Sequence, residues 1–122
     1  MQPLTVAYCH CSDCRRLSGA PVAAFAAFKA ETVTISPTPR HADTVTNGVD
    51  RWFCDGCGAA LAAAYDYLPD QVYVPIGLWD QAADLAPKSH SHAASALPWH
   101  VVEDDLPQHT GSGRQTLRKA TP

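Results

Sequence analysis

Cys9-His10-Cys11-Ser12-Asp13-Cys14 places three thiols within six residues, and Cys54-Asp55-Gly56-Cys57-Gly58 supplies the other two cysteines of the chain. Thiols this closely spaced are more readily gathered by one zinc ion, which takes three or four sulfurs at about 2.3 Å in a tetrahedron, than built into a disulfide framework. Five is also an odd number, so a purely disulfide framework would strand one thiol. No positively charged stretch followed by an apolar run opens the sequence. Nothing in it indicates secretion, and a reducing, cytoplasmic setting with metal-bound thiols is the expectation. In the second cluster, Gly56 and Gly58 relieve a tight turn that presents Cys54 and Cys57 to one ion from a β-hairpin.

The rest of the composition sets bounds on function. With 122 residues, 46% of them hydrophobic, the chain suits one compact domain with a modest core. A net charge of −3 with scattered basic residues gives no electrostatic footprint for nucleic acid. No apolar run approaches the ~20 residues of a membrane-spanning helix.

Ten prolines and seven glycines divide the sequence into short segments, which favours strands over long helices. Strands are expected over Leu4 to Tyr8, Val22 to Phe28, Thr32 to Ile35, Asp50 to Phe53, Ala59 to Tyr65, Val72 to Ile76 and Ala96 to Val102. A single helical turn is expected between Cys14 and Gly19. Residues 59–64 are alanine-rich and helical by propensity alone, yet they leave a C-x-x-C-G knuckle, where the second strand of a hairpin departs. Residues 1–109 form the expected single zinc-binding domain. Thr110 to Pro122, rich in Gly, Ser, Thr and basic residues without apolar periodicity, reads as a mobile tail.

The run from Cys9 to Gly19, C-H-C-S-D-C-R-R-L-S-G, resembles the C-H-C-x-x-C-R-x-x-S-G segment of the glutathione-dependent formaldehyde-activating enzyme family, which also takes in centromere protein V. Residues 53–61, F-C-D-G-C-G-A-A-L, resemble the family's F-C-x-x-C-G-x-x-L segment. Leu97-Pro98-Trp99 followed by Asp105-Leu106-Pro107 is similar to its closing portion, so the likeness extends over roughly residues 5 to 109. The resemblance implies a mainly β, Mss4-like fold of small antiparallel sheets stitched by zinc. It implies a catalytic zinc held by Cys9, Cys11 and Cys14, and a structural zinc on Cys54 and Cys57. The family completes that second site with a C-x-C-G pair upstream of the first run, and no such pair precedes Cys9. Either the natural chain begins earlier, or this is a shortened member that holds its metal differently. Without the family, the residues alone would allow Cys11 and Cys14 to join Cys54 and Cys57 in one ribbon-like tetrathiolate site, although the intervening stretch exceeds the ~15–20 residues usual for such ribbons.

Ligand count connects these alternatives to chemistry. Four protein sulfurs close a zinc site, while three leave a position for water or a substrate atom. Zinc binds sulfur well and stabilises thiolate at neutral pH, so the entering ligand would be a thiol. The implied activity is addition of glutathione to formaldehyde, or the reverse carbon–sulfur cleavage, and no Ser/His/Asp constellation is needed for it. Arg15 and Arg16 follow the triad and match glutathione carboxylates in geometry. Ser18 offers a hydroxyl, or with Gly19 forms a simple turn. His10 sits between two ligands and, on an extended chain, points away from an ion they hold. His90 and His92 would share one face of an exposed strand or loop, His100 reads as a packing or hydrogen-bonding residue, and His41 and His109 read as surface positions. Trp52, Phe53 and Trp99 are expected as core aromatics beside the knuckles, and Trp79 as a core, oligomer or pocket residue. Two further readings stand beside the enzyme: a lyase or transferase acting on another small thiol adduct with an aldehyde, and a non-catalytic zinc-stabilised scaffold. Homo-oligomers are compatible with all three.

Overall fold

The computed structural model describes residues 2–43 and 48–111. Seven strands make one sheet: β1 (Thr5–Cys9), β2 (Ala23–Lys29), β3 (Arg40–Asp43), β4 (Val49–Phe53), β5 (Ala60–Tyr65), β6 (Gln71–Pro75) and β7 (Ser89–Ser91). The order across the sheet is β3-β4-β5-β6-β2-β1-β7. Neighbours run antiparallel except β1 and β7, which are parallel. A β3–β4–β5 half meets the remaining strands where Ala63 pairs with Tyr73, so small antiparallel units are joined edge to edge. The single α-helix among the described residues, α1 (Ser12–Ser18), crosses between β1 and β2.

Strand β2 explains how the core is divided. Its sequence, AAFAAFK, is buried almost throughout, with Ala26 and Ala27 at 0% exposure. Successive side chains alternate between faces, so Ala26 and Phe28 point one way and Ala23 and Phe25 the other. On the first face Phe28 and Ala26 pack with Val6, Val74 and Leu85, covered by Trp79 and Val33. On the second, Phe25 and Ala23 pack with Cys14 of α1, and Cys9, Cys11 and Tyr73 close around them. The cysteine run is therefore the lid of one of the two apolar layers. Small residues at the sheet centre permit this, because side chains press on β2 from both sides.

Five expected strands form within about one residue of their predicted bounds, including the alanine-rich β5. There Ala62 and Ala63 are buried, and pairing with β4 and β6 overrides helix propensity. Thr32 to Ile35 is not a strand. A 3₁₀ turn over Ala30–Thr32, tied by Thr32 Oγ1 donating to the Lys29 carbonyl at 2.7 Å, sends Val33 onto the core face instead. Ala96 to Val102 is not a strand either. Pro98 supplies no N–H, the chain turns where His100 N–H donates to the Leu97 carbonyl, and Trp99 and Val101 stand 67% and 69% exposed. Trp99 is thus not the core aromatic expected, while Trp52 and Phe53 are half-buried. Two polar edge strands, β3 and β7, are additional. β3 pairs with β4, β7 pairs with β1 and is bridged at His90 to Gln108 on its other side, and their Arg, His, Asp and Ser residues give no apolar alternation to read.

The expected tail over 110–122 lies, from residue 112 onward, outside the described residues. Gly111 still accepts from His92 N–H at 2.8 Å, so the chain is tied to the sheet up to that point. Among the described residues no helix is long and apolar enough to cross a membrane.

Candidate metal centre

Strand β1 ends at Cys9, and α1 begins immediately after Cys11. Cys11 has extended backbone angles (φ −65°, ψ 155°) and its sulfur accepts the Cys14 N–H at 3.3 Å, which makes it the N-cap of the helix. The helix thus starts inside the C-x-x-C spacing, two residues before the single turn read from the sequence. Asp13 in its first turn and Arg15 and Arg16 in its last complement the helix dipole. Gly19 ends it in the left-handed region at φ 70°, its N–H reaching the Arg15 carbonyl at 2.7 Å.

These two local structures aim three thiols at one point. Cys9 Sγ lies 3.5 Å from Cys11 Sγ, and the sulfurs of Cys9, Cys11 and Cys14 all lie within 4.8 Å of one another. A tetrahedral zinc with bonds of about 2.3 Å requires sulfur separations of roughly 3.5–4 Å, so the donor set fits a metal ion of that kind with small side-chain adjustment. Cys14 is buried, while Cys9 and Cys11 are half-buried, which leaves an approach from solvent. Without an ion the three share protons unequally. Cys11 is held well below the ordinary thiol value, first by hydrogen bonding with the Cys14 thiol and then with that of Cys9. Cys14 and Cys9 are pushed up, each chiefly by its hydrogen bond to Cys11, with burial adding to both. The middle sulfur is therefore the one on which the site favours the charge, and it accepts a main-chain N–H.

The helix that carries Cys14 also forms one wall of a cleft of about 350 Å³, which none of the three cysteines lines. Ser12, Arg15, Arg16, Gly19 and Ala20 lie on the helix side, with Leu97 and Trp99 opposite. Arg15 and Arg16 are thus brought to the cleft. Ser18 is not part of its lining: its hydroxyl donates to the Cys14 carbonyl at 2.8 Å and accepts Ala20 N–H at 3.1 Å. Sequence reasoning missed Ser12 and assigned Trp99 to the core. Pro98, which supplies no N–H to a strand, was the available signal that the chain turns beside Trp99.

The second cysteine pair stands apart. Cys54 and Cys57 lie in the turn between β4 and β5, where Cys54 N–H donates to the Ala59 carbonyl and Gly58, at φ 79°, donates to the Cys54 carbonyl, both at 2.8 Å. Cys57 is exposed and Cys54 half-buried, so this knuckle sits at the end of a hairpin rather than in the core. The Cys54 thiol is nevertheless lowered, first by the main-chain N–H of Cys57 and then that of Gly56. Among the described residues the one group of three or more potential ligands is Cys9, Cys11 and Cys14, so the four-cysteine ribbon arrangement does not form.

The histidines are distributed differently from their sequence reading. His10 does point away from the sulfurs, and it is completely buried. His90 is buried at 3% exposure rather than displayed, and His92 leaves β7 in the left-handed region at φ 52°, so the two do not share a strand face. Trp79 packs on Phe28 with ring centroids 5.4 Å apart.

No curated protein matches the chain. The family model described as glutathione-dependent formaldehyde-activating enzyme matches residues 1–95, which takes in both cysteine knuckles and stops short of Trp99. A mainly β sheet carrying a cysteine cluster able to hold a metal ion agrees with the Mss4-like fold. On that match, which extends over most of its length, the chain belongs to the glutathione-dependent formaldehyde-activating enzyme family.

Proposed function

We propose that this protein is a zinc-dependent carbon–sulfur lyase that joins glutathione to formaldehyde, or cleaves the resulting S-hydroxymethylglutathione. The observation that carries the reading is the convergence of Cys9, Cys11 and Cys14 at the start of α1, the helix whose Arg15 and Arg16 line a cleft. Three thiolate ligands leave one coordination position, and zinc bound there would stabilise an entering thiolate or polarise an aldehyde oxygen.

In the forward direction the glutathione sulfur forms a bond to the formaldehyde carbon, the carbonyl π pair moves to oxygen, and that oxygen ends with the proton the thiol gave up. The reverse reaction breaks the same carbon–sulfur bond. The chain's own residues contribute position. Arg15 and Arg16 pair with glutathione carboxylates, and Trp99 and Leu97 cover the peptide backbone from the opposite wall. Ser18 acts on the ligand indirectly, by closing the end of α1 that forms the wall. A cleft of about 350 Å³ is at the small end of ligand-sized cavities. Five free thiols without a disulfide suit a reducing compartment such as the cytoplasm. The structural metal at Cys54 and Cys57 belongs to the same proposal.

Exchange between free formaldehyde hydrate and S-hydroxymethylglutathione, followed by NMR at equilibrium, tests it. Zinc-loaded protein should accelerate the exchange in proportion to its concentration, and Cys14→Ser should not. An exchange rate equal to that of the protein-free mixture would overturn the enzymatic reading and favour a zinc-stabilised scaffold.

A further inference from the structure

His10 lies between two candidate metal ligands yet takes no part in holding the metal, and it is 0% exposed. Its ring stacks on His90 at 5.1 Å, and His90 stacks in turn on Tyr8 at 4.8 Å. His10 Nε2 lies 2.8 Å from His90 Nδ1. On its far side, His90 Nε2 lies 2.9 and 3.1 Å from the two carboxylate oxygens of Asp104.

The hydrogens along this chain follow from the acid at its end. A carboxylate only accepts, so His90 Nε2 carries a hydrogen, and with one hydrogen on the ring Nδ1 is left as the acceptor. The hydrogen between the rings must then belong to His10 Nε2. Asp104 thus dictates the tautomers of two successive imidazoles. The pKa of Asp104 is lowered chiefly by its bond to His90.

The main chain is fixed in the same place. His10 N–H donates to the Ser91 carbonyl at 3.1 Å, and Ser91 Oγ donates to the Tyr8 carbonyl at 3.2 Å. His90 in turn binds the Asp104 segment through Pro107 and His109 backbone groups at 2.9 and 2.8 Å. Adjacent side chains on extended backbone point to opposite sides, so locking the ring of residue 10 on one side fixes where the neighbouring sulfurs emerge on the other. Those sulfurs meet at 3.5 Å.

We infer that Asp104 and His90 are positioning residues for the Cys9, Cys11 and Cys14 centre, acting through the buried ring of His10. Asp104 lies beyond residue 95, outside the family match. The inference rests on reading the triad as a metal centre. It differs from the usual carboxylate–histidine support of a metal in that the last imidazole holds the ligand backbone rather than the ion.

The test uses the full chain under reducing conditions. Zinc affinity is measured by competition with a chromophoric chelator for the native protein, Asp104→Ala, Asp104→Asn and Cys14→Ser, and ¹⁵N imidazole spectra are recorded without metal. In the native protein His10 and His90 should both be Nε2–H tautomers. Asp104→Ala should mix the His90 tautomers and weaken zinc by about 10- to 100-fold, the usual effect of losing an outer support. Asp104→Asn, whose amide oxygen can still accept from His90, should recover most of the affinity. If the native protein binds no zinc at the triad, the metal reading fails and takes this inference with it. If Cys14→Ser loses zinc while a folded Asp104→Ala binds within about twofold of native, only this inference fails. Should Asp104→Ala not fold, the native spectrum alone decides, because a His90 ring that is doubly protonated or Nδ1–H overturns the assignment.

Discussion

The Cys11 sulfur accepts the main-chain N–H of Cys14 at 3.3 Å, so a single atom is both a candidate metal ligand and the cap of α1. Folding and metal binding share this contact, since the turn that aims Cys14 at the cluster is the one Cys11 caps. Serine can cap a helix and alanine cannot. In metal-free protein, Cys11→Ser should therefore stay within about 0.5 kcal/mol of native stability, while Cys11→Ala should lose about 1 kcal/mol. Both should lose the metal. Denaturant unfolding with chelator and reductant present reads the difference, and equal losses would remove the capping role.

An alkaline limit on stability follows from the second apolar layer. Tyr65 and Tyr73 meet edge to face at 5.0 Å, and burial is the first cause that pushes both phenols far above their ordinary value of 10.0. A raised folded pKa contributes stability that is complete below the unfolded value and is lost as pH rises above it. Stability should thus hold up to about pH 10 and fall beyond. Phenolate absorbance from these two residues should grow only together with loss of near-ultraviolet circular dichroism. Ionisation of Tyr65 and Tyr73 in a protein that keeps its tertiary signal would contradict their burial.

The knuckle of Cys54 and Cys57 supplies a contrast between the two cysteines. Cys57 is exposed, so Cys57→Ala in metal-free protein should change stability by no more than about 0.5 kcal/mol. The N–H groups of Cys57 and Gly56 favour the Cys54 thiolate, so Cys54→Ala should destabilise more than Cys57→Ala. Adding zinc should widen the gap between the native protein and both variants only if the pair holds an ion. Chelator-treated and zinc-treated unfolding curves, compared for each variant, measure this directly.

What the sequence disclosed depended on whether a residue's role is local. The triad, its helix and the hairpin knuckle are legible because cysteine spacing and glycine conformation act over a few residues. Strands β2, β5 and β6 are legible because their apolar runs must be buried. Strands β3 and β7 are not, since a polar edge strand is created by its neighbour's unpaired backbone. The buried pair His10 and His90 was equally hidden. Nothing local to Ser89-His90-Ser91 announces that Asp104 will fold back and pair with the ring. Trp99 was misplaced for the related reason that aromatic content signals burial only on average, whereas here Pro98 turns the chain outward.

Recognition through the cleft should be separable from recognition by the metal. Arg15 and Arg16 line the cleft, whereas none of the three triad cysteines does. Arg15→Gln should weaken glutathione by about 10-fold, in the range of one lost charge-assisted hydrogen bond. Its effect on 2-mercaptoethanol, which has no carboxylate, should be small. Calorimetry with both thiols on the zinc-loaded protein makes the comparison. Equal weakening of the two would place the arginine's effect on the metal or on the helix rather than on the carboxylates.

Direct binding of a substrate thiol to the triad metal predicts a spectroscopic response with a strict ligand requirement. With cobalt in place of zinc, a sulfur-to-metal charge-transfer band should grow as glutathione is added. S-methylglutathione keeps the carboxylates and peptide backbone and so can still use Arg15 and Arg16, but it has no thiolate to offer and should leave the band unchanged. Excess S-methylglutathione should compete with glutathione for the cleft and shift the titration to higher concentration without altering its endpoint. Cys14→Ser should abolish the response, and because the Cys11 cap and Ser18 closure of α1 remain, circular dichroism should stay native. A cobalt spectrum that ignores saturating glutathione would mean that the fourth position is closed, and a closed thiolate site supports a fold without supplying a reaction.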